Sequence, residues 1–312
     1  MPSSGVQMTK ILLTGATSFI GQRFLEEILE RTDWEVYSLE RRFQPDGYRI
    51  YRFYHDLRAE IPSRIVEQVK DADYLVHLAA DVSAMKSLAD PTLTVTTNVV
   101  GTYHTLELAR KLNLKKFVYI SSGEAVGAVP LPMYLDEKAP LRPSNPYAAS
   151  KAAAEALVNS YRVSFELPAI IVRMMNIFGP GQQLTRFIPA VIKNLLEKKP
   201  INCHVGRDGK CGSRNWLHVD KFVQVLLRLL LLETPEDVYH IIGPERDNLE
   251  IILALAQALN VSFCVKNLLP GPSHDMRYAL KDTHLGLNFD EDFGQTLIDT
   301  ARWYEANREV LV

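Results

Sequence analysis

The sequence predicts a doubly wound α/β fold, and three features predict it. Short apolar runs alternate with stretches of helical periodicity, the first run ends in a small-residue turn that leads straight into a helix, and the alternation becomes irregular beyond Asn176. Repeated strand-then-helix alternation is the pattern of a parallel sheet with helices on both faces.

Ile11, Leu12 and Leu13 make the first apolar run and Val36, Tyr37, Ser38 and Leu39 the second, with a helical stretch between them, which is a βαβ unit. Further buried strands are expected at residues 74–78, 116–121 and 169–173, and helices at 94–112 and 147–165. The Pro- and Gly-bearing stretches 130–146, 178–182 and 269–272 read as loops. A helix at 187–198, a polar glycine-bearing loop at 206–214 and a helix at 219–233 follow. In open α/β sheets ligands lie at the carboxyl ends of the strands, so the chemistry is sought there.

Composition excludes several function classes. The 312 residues carry 35 Lys+Arg against 37 Asp+Glu, a formal charge of -2, so there is no basic excess for neutralising nucleic-acid phosphates. Hydrophobic residues at 47% and charged residues at 23% are ordinary globular usage, not that of a disordered chain. Cys203, Cys211 and Cys264 form no C-x-x-C pair, so neither a zinc site nor a disulfide framework is indicated, and a reducing cytoplasm is expected. The first residues lack the apolar core of a secretory signal, and the run at 222–232 is too short and too interrupted by Arg228 to cross a membrane.

The first run ends in Thr14, Gly15, Ala16, Thr17, Ser18, Phe19, Ile20 and Gly21. Small residues there let backbone amides at a helix N-terminus approach a pyrophosphate, whose charge the helix dipole favours. Glu40 closes the second run about twenty residues on, where a carboxylate accepts hydrogen bonds from an adenosine ribose, and this points to NAD. Arg41 and Arg42 follow directly and suit a 2′-phosphate, which leaves NADP open. Asp56 and Leu57, after a third short run, are candidates for the adenine edge.

Tyr147 and Lys151 stand one helical turn apart, after Asn145, an N-cap residue type, and Pro146, a first-turn type. Both side chains then share one helix face. A phenol, with its ordinary pKa of about 10, is a poor base at neutral pH, and a fixed ammonium nearby favours the phenolate. Ser122 ends the run at 116–121 and offers a hydroxyl to a substrate oxygen, while Glu124 is a candidate base in the same loop.

Together these residues resemble the extended short-chain dehydrogenase/reductase superfamily, specifically the NAD-dependent epimerases and dehydratases, over residues 10–307. The hallmarks are residues 14–21, His77-Leu78-Ala79-Ala80, Asn98-Val99-Val100-Gly101-Thr102, Ser122, Tyr147-Ala148-Ala149-Ser150-Lys151 and residues 173–180. Asn176-Ile177-Phe178-Gly179-Pro180 and Arg214-Asn215-Trp216-Leu217-His218-Val219-Asp220 are similar to nucleotide-sugar enzymes. His274-Asp275-Met276-Arg277-Tyr278-Ala279 and Arg302-Trp303-Tyr304-Glu305-Ala306-Asn307 are similar to the dTDP-glucose 4,6-dehydratases.

The resemblance implies a Rossmann-type NAD-binding domain over residues 1–176 and 206–233, and a smaller mixed α/β C-terminal lobe, over 177–205 and 234–312, for a nucleotide-diphosphate sugar. It implies a sugar oxidised at C4 and a hydride later returned, with Tyr147 taking the hydroxyl proton, Lys151 holding the cofactor ribose and lowering the Tyr147 pKa, and Ser122 holding the C4 oxygen. Leu78, Ala79, Ala80 and Asn98 join the cofactor set. Asn176, Arg214 and Arg277 match diphosphate-contacting positions, with Arg186 where the dehydratases carry Lys; arginine's planar fork suits phosphate. The resemblance also implies a homodimer through the helices at 94–112 and 147–165. No metal is expected.

The chain departs from the dehydratase pattern at four places. Gly123 replaces the Asp that protonates the departing C6 hydroxyl, Val126 a common Tyr, Ser18 the middle glycine of the turn, and Asn215 the Asp after Arg214. The expected activity is therefore a 4,6-dehydratase with Glu124 taking the C5 proton, with a 4-epimerase as the alternative and a 4-ketoreductase or a non-catalytic NAD-binding scaffold behind it.

Overall fold

The computed structural model describes residues 8–206, 209–271 and 275–311. His274 of the motif at 274–279, Arg207 and Asp208 of the expected loop at 206–214, and Pro272 of the loop at 269–272 lie outside the described residues.

The chain opens with β1 (Lys10–Thr14), α1 (Phe19–Arg31), β2 (Glu35–Glu40), β3 (Ile50–Tyr54), α2 (Ser63–Gln68), β4 (Tyr74–His77), α3 (Ala84–Ala89) and α4 (Pro91–Val95). It continues through α5 (Gly101–Lys111), β5 (Lys116–Ser122), α6 (Pro146–Phe165), β6 (Ala169–Met174), β7 (Asn176–Phe178), α7 (Phe187–Leu196), β8 (Ile201–His204) and β9 (Ser213–His218). It closes with α8 (Val219–Leu230), β10 (Val238–Ile241), β11 (Glu245–Asp247), α9 (Asn248–Ala258), β12 (Val265–Leu268) and α10 (Asp290–Ala306).

The seven-stranded sheet runs β10-β6-β5-β4-β1-β2-β3. β1 pairs in parallel with both β2 and β4, so the strand order reverses beside β1, the point at which doubly wound sheets bind ligands. Apart from the partly exposed edge strand β3, the strands are buried along nearly their whole length, both faces being covered: all seven residues of β5 are buried.

The helix expected at 94–112 is not one helix. Between α4 and α5 lies a π-helical turn, Thr96–Val100. Thr96 Oγ1 turns back onto the carbonyls of Thr92 (2.8 Å) and Leu93 (3.1 Å), a competition that bends helices, and the neighbouring Thr97, Val99 and Val100 add β-branched crowding. Such π turns cluster at functional positions, and this one carries Asn98.

The chain forms two compact units. Unit 1 takes residues 1–121, 145–172 and 223–238; unit 2 takes 122–144, 173–222 and 239–312. Leu12, Leu39, Leu75, Phe117 and Ile171 from strands, with Leu106 and Val158 from helices, build the core of unit 1. Unit 2 packs Phe178, Ile192, Trp216, Leu255, Leu297 and Tyr304 together, and separately groups Val126, Met175, Tyr278 and Leu280.

Candidate active site

Unit 1 carries the turn after β1. Gly15 has φ +77°, and a Cβ on it would lie 2.7 Å from the Ala79 backbone nitrogen, so both conformation and space require glycine. Gly21 is held as closely: a Cβ there would stand 2.2 Å from the Gly15 carbonyl oxygen. Ser18 is the N-cap of α1, its Oγ accepting from the Gly21 amide at 3.1 Å, and Thr17, Phe19 and Ile20 flank it at the positive end of the helix dipole. Thr14 Oγ1 accepts from the Ala79 amide at 3.2 Å, tying the β1 turn to the Leu78-Ala79-Ala80 segment after β4.

Glu40 is 3% exposed. Its Oε1 accepts from Ser38 Oγ at 2.8 Å and pairs with Arg52, while its Oε2 is buried and meets no hydrogen-bond donor among the described residues. Leaving such an acceptor unsatisfied costs about 1–3 kcal/mol or more, which a ribose hydroxyl would recover. The residues at this end thus fit the adenosine half of NAD. Arg41 and Arg42 are exposed. Asp56 is spent differently: Arg58 binds it through backbone and side chain and holds its carboxyl at about 2. Leu57 gives its carbonyl to His104 Nδ1 at 2.7 Å.

A buried chain of hydrogen bonds links these parts to α6. His77 Nδ1 lies 2.6 Å from Thr14 Oγ1, and its Nε2 lies 3.0 Å from Thr102 Oγ1. Thr102 spends its own proton on the Asn98 carbonyl at 2.6 Å, so Nε2 carries the imidazole hydrogen and Nδ1 accepts. Burial, with the Lys151 charge adding to it, pushes His77 down to about 3 and keeps it neutral. The Asn98 amide is shared between Asp81 (Oδ1 from its N–H at 2.7 Å, Nδ2 to its carbonyl at 2.9 Å) and Ser150 Oγ (2.9 Å). Ser150 in turn donates to the Tyr147 carbonyl at 2.7 Å, so Asn98 sets the place of the α6 N-terminus.

α6 begins as its sequence predicts, with Asn145 Oδ1 accepting from the Ala148 amide at 2.9 Å and Pro146 in the first turn. Tyr147 and Lys151 are 5% and 4% exposed. Lys151 Nζ donates to the Ile120 carbonyl at 2.8 Å and lies 4.9 Å from the centre of the Tyr119 ring. Burial pushes its ammonium down to about 7, and Glu155 pulls in the opposite direction.

Unit 2 carries the remaining candidates. Ser122 ends β5 and its Oγ accepts from the Glu124 amide at 3.2 Å, capping the short 3₁₀ turn Gly123–Val126. A Cβ on Gly123 would fall 2.3 Å from Met175 Sδ and 2.6 Å from Leu280 Cδ1, so apolar side chains fill the place beside Ser122. Arg214 donates to the carbonyls of Met276 (2.8 Å) and Asp275 and stands 4.7 Å over the Tyr278 ring. Burial presses the Arg214 pKa down, and the charges of Tyr278, Glu124, Asp275 and Glu245 oppose it. Burial and the Glu124 charge together raise the Tyr278 phenol. Glu124, Arg214 and Tyr278 therefore form one electrostatic group.

Arg277 is 8% exposed, forks onto Glu245 at 2.7 and 2.8 Å, and gives Nη1 to the Met133 carbonyl at 2.6 Å. Asn215 explains its own departure: Nδ2 donates to the Gly243 carbonyl and Oδ1 accepts from the Leu280 amide, both at 2.9 Å, and an Asp cannot make the first bond. Asn176 stands opposite Trp216 in the β7–β9 pair, and Arg186 precedes α7 at its N-cap position, partly exposed.

A model of the NAD dependent epimerase/dehydratase family matches residues 11–241. The chain belongs to that family. A dTDP-glucose 4,6-dehydratase from Streptomyces niveus is 30% identical, over 96% of this chain and 94% of the relative. The crystal structure of a dTDP-glucose 4,6-dehydratase from Streptomyces venezuelae with NAD bound superposes with a TM-score of 0.87 at 27% identity, covering 96% of this chain and 98% of that one. The UDP-glucose 4-epimerase of Thermus thermophilus, in complex with NAD, gives 0.81 at 25% identity, covering 94% and 99%. The fold is thus of the Rossmann type, and this member of the NAD dependent epimerase/dehydratase family is an enzyme with NAD as its cofactor.

Several residues escaped the sequence reading. Glu155 carries a local signal in its i, i+4 spacing from Lys151. Glu245 meets Arg277 across a long stretch of chain, and Met175 and Leu280 meet Gly123 from two separate segments, contacts that no local pattern reveals. The Sγ atoms of Cys203 and Cys211 lie 3.1 Å apart, both thiols free, brought together by the Val205–Cys211 bridge without a C-x-x-C motif. No described helix is long and apolar enough to cross a membrane.

Proposed function

We propose that this enzyme is an NDP-hexose 4,6-dehydratase, with unit 1 holding NAD and unit 2 holding the nucleotide-sugar. The observation that carries the reading is the setting of Glu124, whose backbone amide is capped by Ser122 on a strand-end turn and whose charge acts on Arg214 and Tyr278. The dehydratase relatives, 30% identical over nearly the whole chain, support it.

When bound, NAD supplies the acceptor and later the donor of the sugar hydride. Tyr147 takes the C4 hydroxyl proton, Lys151 favours its phenolate, and Ser122 holds the C4 oxygen. The resulting 4-ketone acidifies the C5 hydrogen, which Glu124 would remove and pass to the departing C6 hydroxyl, so that it leaves as water; the hydride would return at C6, and the proton taken up by Tyr147 would be delivered, through solvent, at C5. Asn176, Arg186, Arg214 and Arg277 serve the diphosphate side, Arg277 by fixing the segment around Met133 and Glu245. We read the enzyme as a cytoplasmic homodimer; the exposed Tyr103 of α5 and the exposed Val163 and Phe165 of α6 support the dimer, and three cysteines without a disulfide framework the compartment.

Gly123 favours a second reading, C4 epimerisation. Met175 and Leu280 fill the place where the dehydratases have their acid, and a general acid typically supplies about 10²–10⁴-fold. Incubation of the purified enzyme with a panel of NDP-hexoses, products followed by mass, separates the readings: loss of one water establishes dehydration, and an isomer of unchanged mass establishes epimerisation. In a Glu124→Gln variant dehydration is expected to fall by about 10²-fold or more, whereas epimerisation persists.

A further inference from the structure

Glu155 stands one turn beyond Lys151 on α6, so the two side chains share a face. Both are buried, Lys151 at 4% and Glu155 at 3% exposure. Two consecutive residues of β5 receive them: the Ile120 carbonyl takes the Lys151 ammonium at 2.8 Å, and Ser121 Oγ donates to Glu155 Oε1 at 2.5 Å.

We propose that Glu155 is a positioning residue for the proton transfer at Tyr147, acting through Lys151 by keeping its side chain charged and aimed along the end of β5. This rests on the reading of Tyr147 and Lys151 as the catalytic pair.

The argument is one of charge. An ammonium taken out of water neutralises unless a counter-charge is buried with it, and a neutral amine gives a phenolate no help. Among the described residues, His77 on β4, Tyr119 on β5 and Glu155 on α6 act on or lie against Lys151, and Tyr147 stands one turn before it on α6. Burial keeps His77 uncharged, and burial together with the Glu155 and Tyr147 charges keeps the Tyr119 phenol protonated, so neither supplies an anion. Tyr147 is the group the ammonium serves, which leaves Glu155 as the counter-charge, and it acts on Lys151 in the direction that retains the proton.

Thermal unfolding against pH tests this without any sugar. Lys151, at about 7, titrates below its unfolded value, so the unfolded chain binds more protons between the two and stability rises with pH across that window. Removing the Glu155 charge lowers Lys151 further. In Glu155→Gln the rise is expected to begin about 1–3 pH units lower than in the wild type, and Glu155→Asp is expected to restore it. A melting temperature lowered equally at every pH would show that Glu155 only ties α6 to β5, and would overturn the proposal. On a Lys151→Met background the pH-dependent part of the Glu155→Gln effect should vanish; its persistence would assign it to another group and also overturn the proposal.

With an accepted NDP-hexose, the alkaline limb of kcat should move to lower pH in Glu155→Gln, with KM unchanged, and an unmoved limb counts against the proposal. Failure to turn over any NDP-hexose sinks the functional reading alone, because the thermal measurement still decides for or against Glu155.

Discussion

Gly15 in unit 1 and Gly123 in unit 2 both sit where a side chain would collide, but the atoms it would meet are of different kinds. At Gly15 the obstacle is backbone, the Ala79 nitrogen at 2.7 Å and its Cα at 2.9 Å, and the φ of +77° excludes other residues independently. At Gly123 the obstacles are the far ends of two flexible side chains, Met175 and Leu280. The glycine of the turn after β1 is imposed by the fold, because β1 and the segment after β4 run against each other. The glycine after Ser122 is a truce between side chains, and side chains can be changed together. The residue after β1 is therefore rigidly determined, while the residue after Ser122 is negotiable.

Gly15→Ala should show the largest effect. Left-handed strain of about 1–3 kcal/mol adds to overpacking of similar size against atoms that cannot move aside, so a loss of about 2–6 kcal/mol is expected, with loss of retained NAD. Denaturant unfolding and the NAD content of the purified protein measure both. No second substitution should rescue it. A Gly15→Ala protein that is stable and NAD-loaded would erase the contrast.

Gly123→Ala should cost less, about 1–3 kcal/mol, because Met175 can shift. Combining it with Met175→Ala should return part of that loss, with a coupling of about 0.5–3 kcal/mol in a double-mutant cycle, since the new Cβ enters space that the methionine leaves. Gly123→Asp on the Met175→Ala background sharpens the functional side: with room for a carboxyl beside Ser122, the ratio of dehydration to epimerisation should rise. Strict additivity would mean that Met175 is not what confines residue 123.

The sequence carried what is local and periodic, and missed what is brought together from a distance. Asn145 and Pro146 announced the start of α6, and the residues 14–21 announced a tight turn between β1 and α1, because capping and glycine chemistry act within a few residues. The apolar runs announced β4, β5 and β6 for the same reason. The π turn at Thr96–Val100 was hidden inside a good helical period, since apolar spacing does not register one extra residue in a turn. The Arg277 fork onto Glu245, the Asn215 bridge from Gly243 to Leu280 and the filling around Gly123 depend on how segments of unit 2 pack, which no spacing within one segment encodes.

Ser18 provides the smallest test. It replaces the middle glycine of the turn, yet its φ of -75° demands no glycine, and its Oγ caps α1 through the Gly21 amide. The turn thus contains one glycine required by conformation, one required by close approach, and one position where the backbone is free to take a side chain that does something else. Ser18→Gly should cost only a few tenths of a kcal/mol, because glycine is itself an acceptable N-cap, whereas Ser18→Ala should cost about 0.5–2 kcal/mol. NAD retention should be unchanged in both. No loss for either Gly or Ala would mean that the serine hydroxyl contributes nothing as a cap, and a change in NAD retention would move Ser18 from the helix to the phosphate side of the turn.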